Sequence, residues 1–153
     1  MSSKKGQGAA EYLILLAVVL IVGIVAIALL GGFTDVSGSA MENESRQYWT
    51  GAVRPFIVQE YSQQGSTFYL TMKNVEASRL MFNSISLDGT DTYVANVSFN
   101  SGATKTLSFP VSTTCNETSF DFFEYDVIIN YSTTNGLTKS QRGEKPFAGR
   151  CIE

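Results

Sequence analysis

The sequence KKGQGAAEY at residues 4–12 leads into a long run without a charged residue, and these two features together decide the fold. The uncharged run extends from residue 12 to residue 33 and consists almost entirely of Leu, Ile, Val, Ala and Gly. Its 22 residues would form a helix about 33 Å long, enough to cross a hydrocarbon core of about 30 Å. In lipid the backbone must satisfy its own hydrogen bonds, so the run is predicted to be a helix.

The charges on either side of the run predict its orientation in a membrane. Lys4 and Lys5 precede it, whereas the first charges after it are acidic, at Asp35, Glu42 and Glu44. Basic residues are retained on the cytoplasmic side. We therefore expect a cytoplasmic N-terminus and an exported C-terminal part.

Three interpretations fit an apolar run at this position. A secretory signal has an apolar core of roughly 7–15 residues before its cleavage site, but this run is longer and has Glu11 at its start. A plain membrane anchor fits the hydropathy equally well. The third interpretation also accounts for the residues at the border of the run, Gly6-Gln7 and Glu11-Tyr12.

The border residues resemble the class III signal peptide of archaeal type IV pilin-like proteins. Such a leader is short and basic, ends in Gly, and is followed by Gln, small residues and Glu-Tyr or Glu-Phe. Ala9 stands where the family often has Ser, and archaellins lack both the Gln and the Glu-Tyr pair. The resemblance implies cleavage of the Gly6–Gln7 bond by a class III prepilin peptidase. The residues recognised by that peptidase would be Lys4, Lys5, Gly6 and Gln7.

The same resemblance implies a structural subunit (pilin) of an archaeal type IV-like pilus. It would polymerise through its N-terminal helix into an extracellular, adhesive filament. The implied partners are other copies of the chain, the membrane before assembly, the prepilin peptidase, and a pilus assembly ATPase with its membrane platform. The precursor would span the cell membrane once, and the processed protein would lie in a pilus on the cell surface. The alternative is a membrane-anchored, monomeric surface glycoprotein whose β domain binds a ligand.

Glu11 and Tyr12 are the predicted subunit-assembly residues. A carboxylate in an apolar helix is costly and is usually paired or functional. In a pilin, cleavage would create a cationic amine at Gln7, with which Glu11 of a neighbouring subunit could pair. The simpler interpretation is that Glu11 lies in the first helical turn, where the helix dipole favours an anion.

The spacing of apolar residues in the segment 34–54 predicts an amphipathic continuation of the helix. A flexible stalk is the alternative. Pro55 ends the segment because the residue before a proline is driven out of helical geometry. Gly31, Gly32 and Gly38 indicate either a bend or a close helix–helix contact. The apolar positions at roughly helical spacing are Phe33, Val36, Ala40, Met41, Tyr48, Ala52 and Val53.

Beyond Pro55, short alternating runs separated by turn residues predict a β domain of about seven strands. The expected strands are 56–61, 67–73, 80–87, 93–99, 105–109, 122–131 and 136–141. We expect a bulge near Asn83-Ser84 and a turn at Asp88-Gly89. The predicted fold class is α+β, a long apolar helix followed by an antiparallel β-sandwich. The predicted domains are a cleaved leader at 1–6, an apolar helix at 7–33, its continuation or a stalk at 34–54, and the extracellular sandwich at 55–153.

Covalent modifications are predicted from the cysteines and from Asn-x-Ser/Thr sequences. Cys115 and Cys151 are the two cysteines, and in an exported domain two cysteines usually form a disulfide; a reactive thiol is the alternative. Asn96 and Asn130 fall in the phase opposite to their apolar neighbours, so we expect both to face solvent. The four candidate N-glycosylation sites are Asn43, Asn96, Asn116 and Asn130.

Nothing in the sequence predicts an enzyme, a cofactor or a metal. Histidine is absent, which removes the commonest general base and transition-metal ligand. The acidic groups Asp121, Glu124 and Asp126, and Asp88 and Asp91, lack the graded spacing of a calcium loop, so a solvated acidic surface is the better interpretation. The net charge is −3, and without Lys4 and Lys5 there are 9 basic side chains against 14 acidic ones. Because no basic patch with interleaved aromatic residues occurs, a nucleic-acid partner is not expected.

We predict that the mature protein begins at Gln7. Gly6→Val should block maturation, because it places a β-branched side chain at the bond to be cut. N-terminal sequencing or mass spectrometry of the surface-exposed protein measures this directly. A mature protein that still begins at Met1 or Ser2 would contradict the class III interpretation, and a start near Gly31 would support an ordinary secretory signal.

Overall fold

The computed structural model describes residues 7–29, 32–116 and 122–152. The chain forms two compact units, residues 1–37 and residues 38–153. The leader residues Lys4, Lys5 and Gly6 lie outside the described residues, as does Asp121 of the acidic group.

Two α-helices and one π-helical turn occur in the described residues before the first strand. Helix α1 spans Gln7–Leu29 and helix α2 spans Gly32–Gln47, followed by the π-helical turn Tyr48–Ala52. Val53 then adopts an extended conformation with φ −90° and ψ 152°. The helical segment therefore ends shortly before Pro55, as the steric effect of proline on the residue before it requires.

The described residues contain nine strands rather than about seven. Every pair of neighbouring strands is antiparallel, which confirms the predicted α+β class with an antiparallel β domain. The strand orders are β1-β2-β5, β4-β3-β7-β8 and β6-β9. The strands are β1 Phe56–Gln64, β2 Thr67–Asn74, β3 Leu80–Leu87, β4 Asp91–Phe99, β5 Thr104–Pro110, β6 Phe122–Tyr125, β7 Val127–Thr133, β8 Thr138–Arg142 and β9 Phe147–Arg150.

The two larger sheets share one hydrophobic core. Phe56 of β1 lies 5.1 Å from Phe99 of β4 between ring centroids, and Tyr93 of β4 lies 4.9 Å from Phe109 of β5. Contacts of this kind join side chains of facing sheets, so the β domain is a sandwich. The large apolar side chains that are completely buried on the strands are Phe56, Phe68, Leu70, Met72, Phe82, Ile85, Leu87, Phe99, Ile129 and Phe147.

Two local predictions for β3 are confirmed. The register shifts between Phe82 and Ser84 in both of its ladders, and this bulge allows Phe82 and Ile85, three positions apart, both to be buried. The following turn has positive φ at Asp88 (51°) and at Gly89 (70°), the conformation that a tight hairpin with a right-handed twist needs.

The prediction of one continuous strand from residue 122 to residue 131 is wrong, because the chain changes sheets at Asp126. Asp88 in the hairpin turn occupies both backbone groups of Asp126: its N–H donates to the Asp126 carbonyl at 2.9 Å, and its Oδ1 accepts the Asp126 N–H at 2.6 Å. Strand β6 therefore pairs with β9, whereas β7 pairs with β3 and β8. Strand β9 was not predicted at all, because its sequence FAGR lacks the β-branched residues and the alternation that mark a strand.

The buried face of α2 also differs from the apolar face predicted from the sequence. Met41 and Ala52, assigned to the apolar face, are exposed. The positions that turn toward the β domain are Gly38, Glu42, Ser45 and Trp49, which follow one another at helical spacing. Glycine and serine at these positions hide the stripe from a hydrophobicity pattern. They also permit close packing: a Cβ on Gly38 would lie 3.7 Å from the Phe122 ring.

Trp49 packs the helical part of the second unit, residues 38–52, against the β domain. Its indole is completely buried and lies 4.5 Å from the Phe147 ring between centroids. The indole Nε1–H donates to the Lys145 carbonyl at 3.1 Å, so the polar edge of this large side chain is satisfied. A Cβ added to Gly143 would lie only 2.8 Å from the Trp49 Cη2 atom, so the indole packs directly against this glycine.

The predicted disulfide between Cys115 and Cys151 is present, with the two Cα atoms 5.5 Å apart. Both of its segments are held beside the β1–β2 turn, because the Cys115 N–H donates to the Gly65 carbonyl at 2.9 Å and the Ile152 N–H donates to the Gln63 carbonyl at 3.0 Å. The bridge therefore joins the segment after β5 to the segment after β9.

Gly143→Ala is predicted to destabilise the second unit by roughly 1–3 kcal/mol, the usual range for overpacking, because the new methyl group collides with the buried indole. Denaturation of the full chain in detergent micelles, followed by the fluorescence of its single tryptophan, measures the change. Gly51→Ala is the matched control. A Cβ at Gly51 meets no atom within 4 Å, so this variant should unfold like the wild type or slightly later.

Replacing both Cys115 and Cys151 by Ser is predicted to destabilise the fold by up to about 4 kcal/mol. The physical reason is that the bridge closes a loop with a sequence separation of 36 residues and so restricts the unfolded chain. The melting temperature should fall while the β-rich circular dichroism is retained. Peptide mapping without reduction tests the bridge itself, and two free thiols in the folded protein would be incompatible with it.

Candidate functional site

Helix α1 is the most unusual surface of the described chain. Every side chain described in it, from residue 8 to residue 29, is exposed. The segment Gly8–Leu29 has 22 residues and is long and apolar enough to cross a membrane. Together with its position near the N-terminus, this supports a membrane-anchored precursor.

The apolar surface of α1 covers all of its faces. Its exposed large side chains occur at nearly every position, so no polar face is left for water. A helix that is apolar all round belongs in a protein interior or in a membrane. The chemistry available to this surface is therefore contact with lipid or with other apolar helices.

Glu11 is the single carboxylate on this surface, since the remaining residues of Gln7–Leu29 carry no charge. It is the fifth residue of α1, and the first turn contains no acidic residue. Counted from Gln7, Glu11 therefore lies just beyond the first turn of the described helix. The favourable interaction of a carboxylate with the helix dipole falls off within the first turn, so the dipole gives little reason for a carboxylate at this position. Its neighbour Tyr12 is 67% exposed.

The predicted cleavage residues are described only in part. Gln7 begins α1, whereas Lys4, Lys5 and Gly6 lie outside the described residues. Their roles, and the pairing role of Glu11, remain predictions.

A buried polar cluster that sequence patterns did not predict joins α2 to the β domain. Ser45 Oγ lies 2.6 Å from the Tyr61 hydroxyl and donates to the Pro146 carbonyl at 2.6 Å, while the Tyr61 hydroxyl contacts the Ala148 carbonyl at 2.9 Å. Burial raises the pKa of Tyr61, although the hydrogen bonds oppose this shift. The phenol therefore stays protonated and can donate. The one available signal was the spacing of small residues along α2.

Two buried glutamines act as substitutes for backbone partners. Gln141 of β8 accepts from the Phe56 N–H at 3.0 Å and donates to the Phe56 carbonyl at 2.8 Å, so its amide binds the start of β1 as a neighbouring strand would. Gln63 donates to the Thr113 carbonyl at 2.6 Å and accepts from the Tyr125 hydroxyl at 2.7 Å, next to the disulfide. Both residues show that a polar side chain in an inward phase can be structural.

The four candidate glycosylation sites differ in accessibility. Asn43, Asn96 and Asn116 are exposed, whereas Asn130 is half-buried. The Asn130 Nδ2 atom, which would carry a glycan, donates to Ser84 Oγ at 3.1 Å, and its Oδ1 accepts from Ser140 Oγ at 2.6 Å. The expectation that both Asn96 and Asn130 face solvent is therefore met fully only by Asn96. Occupancy of all four sites stays a prediction.

The acidic groups do not form a metal centre within the described residues, where no cluster of three or more His, Cys, Asp or Glu side chains could hold an ion. One oxygen of Asp88 is already occupied by the backbone of Asp126.

Comparison with known proteins adds one finding on the N-terminal segment. No curated protein is significantly similar to the chain. The family model of the class III signal peptide matches residues 4–30, the segment that contains the predicted cleavage bond, Glu11 and all of α1. Such a signal peptide implies processing by a prepilin peptidase and contact with a pilus assembly machinery. Residues 4–30 are therefore a class III signal peptide of the kind typical of archaeal type IV pilin-like proteins, which supports a pilin-like protein that is secreted or held in a membrane.

Proposed function

We propose that the chain is a structural, non-enzymatic subunit of an archaeal type IV-like pilus. The observation that carries the proposal is the combination of a class III signal peptide at residues 4–30 with a helix that is apolar on every face. Cleavage at Gly6–Gln7 would remove the basic leader and leave this helix on the mature protein. The helix is then available for packing against copies of itself.

The physical basis of assembly is the exchange of one apolar environment for another. In the membrane, lipid tails cover α1; in a filament, neighbouring α1 helices would cover it. Burial from water contributes little to this exchange, so close packing and specific polar contacts decide its free energy. Small side chains at Gly8, Ala17 and Gly23 would allow neighbouring backbones to approach.

Glu11 is the polar contact that we assign to assembly. After cleavage, the new amino group at Gln7 carries a positive charge close to the carboxylate of Glu11. Within one helix these groups are four residues apart, and in a packed bundle the carboxylate of one subunit meets the amine of the next. An ion pair in an apolar setting depends strongly on geometry, so it would fix the register between subunits.

Adhesion is the proposed use of the filament, and the second unit is the part that would carry it. This unit has its own hydrophobic core and a disulfide, which suits an oxidising extracellular environment. A polymer would display the same surface at every repeat, so weak contacts to a target would add up through multivalency. The pilus assembly ATPase and the membrane platform are the proposed partners in building it.

The competing function is a membrane-anchored monomeric surface glycoprotein. It uses the same apolar helix as a permanent anchor and the same β domain as a ligand-binding module. The two functions differ in the fate of α1, because only the pilin removes it from lipid.

Glu11→Gln is predicted to abolish filament assembly while processing and membrane insertion are retained. The substitution keeps the shape of the side chain but leaves the neighbouring amine unpaired, at a cost of about 3–5 kcal/mol per subunit. Filaments sheared from cells are counted by electron microscopy, and the membrane fraction is analysed by immunoblotting. Glu124→Gln is the matched control, because it removes the same charge from an exposed position of β6 and should assemble normally.

Normal filaments from Glu11→Gln would refute the pairing role. A wild-type chain that is processed at Gly6–Gln7 yet stays in the membrane as a monomer would instead favour the anchored glycoprotein.

A further inference from the structure

One end of the β-sandwich contains an open pocket of about 320 Å³. Its polar lining comes from three parts of the chain: the segment before β1, the loop between β2 and β3, and the hairpin strands β7 and β8. These lining residues are Arg54, Glu76, Ser78, Tyr131, Thr133 and Lys139.

The pocket lies where the inner face of the four-stranded sheet emerges from the core. In the strand register, Tyr131 is opposite Phe82 on one side and Lys139 on the other, so the three side chains project from the same face of the sheet. Phe82 is completely buried, Tyr131 is half-buried and Lys139 is exposed. The row therefore passes from the hydrophobic core to a cationic group at the mouth of the pocket. Polar residues in this inward phase would be unfavourable if the opposite sheet covered them.

Two cations of the pocket have no carboxylate partner among the described residues. The ion pairs in the described part of the chain join other residues, Arg46 to Glu42 and Lys145 to Glu44. Within residues 7–29, 32–116 and 122–152, Arg54 donates only to the carbonyl of its neighbour Val53, at 3.1 Å. With Glu76 as the one carboxylate of the lining, the pocket carries a net charge of +1 in a chain whose net charge is −3.

The walls of the pocket are held in place by buried contacts. Asn74 is completely buried; its Nδ2 donates to the Ser78 carbonyl at 2.8 Å and its Oδ1 accepts the Glu76 N–H at 2.9 Å. The Tyr131 ring packs edge-on against Phe56, with centroids 5.8 Å apart. Burial raises the pKa of Tyr131, and the nearby Glu76 carboxylate raises it further. The Tyr131 hydroxyl therefore remains a hydrogen-bond donor at neutral pH.

We propose that this pocket binds a hydroxylated monocarboxylate of monosaccharide size, namely a hexuronate. The ligand carboxylate lies between Arg54 and Lys139, because charge-assisted hydrogen bonds to a carboxylate are the strongest that these side chains form. The hydroxyls of Tyr131, Ser78 and Thr133 and the carboxylate of Glu76 supply donors and acceptors for the hydroxyl groups of the sugar. The volume lies at the lower end of the range for small-molecule pockets, which fits one sugar ring.

The net charge of the pocket distinguishes a monoanion from other ligands. A neutral hexose leaves both cations without a partner. Phosphate carries more negative charge than the net +1 of the pocket neutralises, and it lacks the carbon-bound hydroxyl groups that Tyr131, Ser78 and Glu76 would bind. The open mouth admits either a free hexuronate or the end of an acidic polysaccharide, since both present the same ring and carboxylate. The site needs no assembled filament, so it is independent of the proposed pilin function.

The test uses the unassembled full chain in detergent micelles, titrated with glucuronate and followed by isothermal calorimetry or NMR. A ligand of this size is expected to bind with a Kd of order 1 mM, and added salt should weaken the binding. Glucose and inorganic phosphate should each bind at least about tenfold more weakly. If glucose binds as tightly as glucuronate, or if glucuronate shows no binding, the assignment is wrong.

Matched variants locate the binding. Arg54→Gln and Lys139→Gln should each weaken glucuronate binding by about tenfold, and Tyr131→Phe should weaken it by a smaller factor. Lys73→Gln removes the same charge from the outer face of β2, where Met72 and Asn74 on either side point inward, and should leave the Kd unchanged. An equal loss in Lys73→Gln would mean general charge attraction and would overturn the proposed site. Both cationic positions are exposed, and the fluorescence of Trp49 verifies that each variant is folded.

Discussion

The apolar surface of α1 is the constraint on which the rest of the molecule depends. Fourteen large apolar side chains of this helix are exposed, and burying each would contribute roughly 1.5–3 kcal/mol. Leaving them in water would therefore cost tens of kcal/mol, more than the about 5–15 kcal/mol by which a typical domain is stable. A helix with such a surface belongs in lipid or against other apolar helices.

The second unit, in contrast to α1, has a hydrophobic core and hydrogen-bond partners for its buried polar groups. Its large sheets enclose one core, and the buried side-chain polar atoms in the described part of the chain all have hydrogen-bond partners. Glutamines replace missing strand neighbours, and Trp49 closes the core from the helical side. Such a unit can keep one structure whatever surrounds α1, which is what the proposed pilus subunit, with its two successive environments, would require.

An element could be predicted from the sequence when the residues that determine it are close together in the chain. The apolar helix, the β3 bulge and the turn at Asp88-Gly89 were predictable because each depends on adjacent residues. The break at Asp126 was not, because it is caused by a hydrogen bond from a residue 38 positions away. The buried stripe of α2 was missed because Gly38 and Ser45 are favourable there for their small size and hydroxyl group, not for hydrophobicity.

The candidate sites differ in the same way: some depend on a local sequence motif, and others depend on residues that only the fold brings together. The class III signal peptide could be recognised from a contiguous motif, and the disulfide followed from the number of cysteines in an exported domain. The pocket between Arg54 and Lys139 could not be predicted, since the strand register and the fold of the loop at Glu76 bring its residues together.

The polar character of the α2 stripe has a consequence for the biosynthesis of the protein. An insertion machinery selects a transmembrane segment by its continuous hydrophobicity, and α1 is followed by a helix whose packing residues are Gly38, Glu42 and Ser45. If α2 packed against the β domain through leucine side chains, the hydrophobic segment would continue beyond α1 and its C-terminal end would be ambiguous. Because α2 packs through small and polar groups, the length of chain retained in the bilayer is defined by composition alone, before either unit has folded.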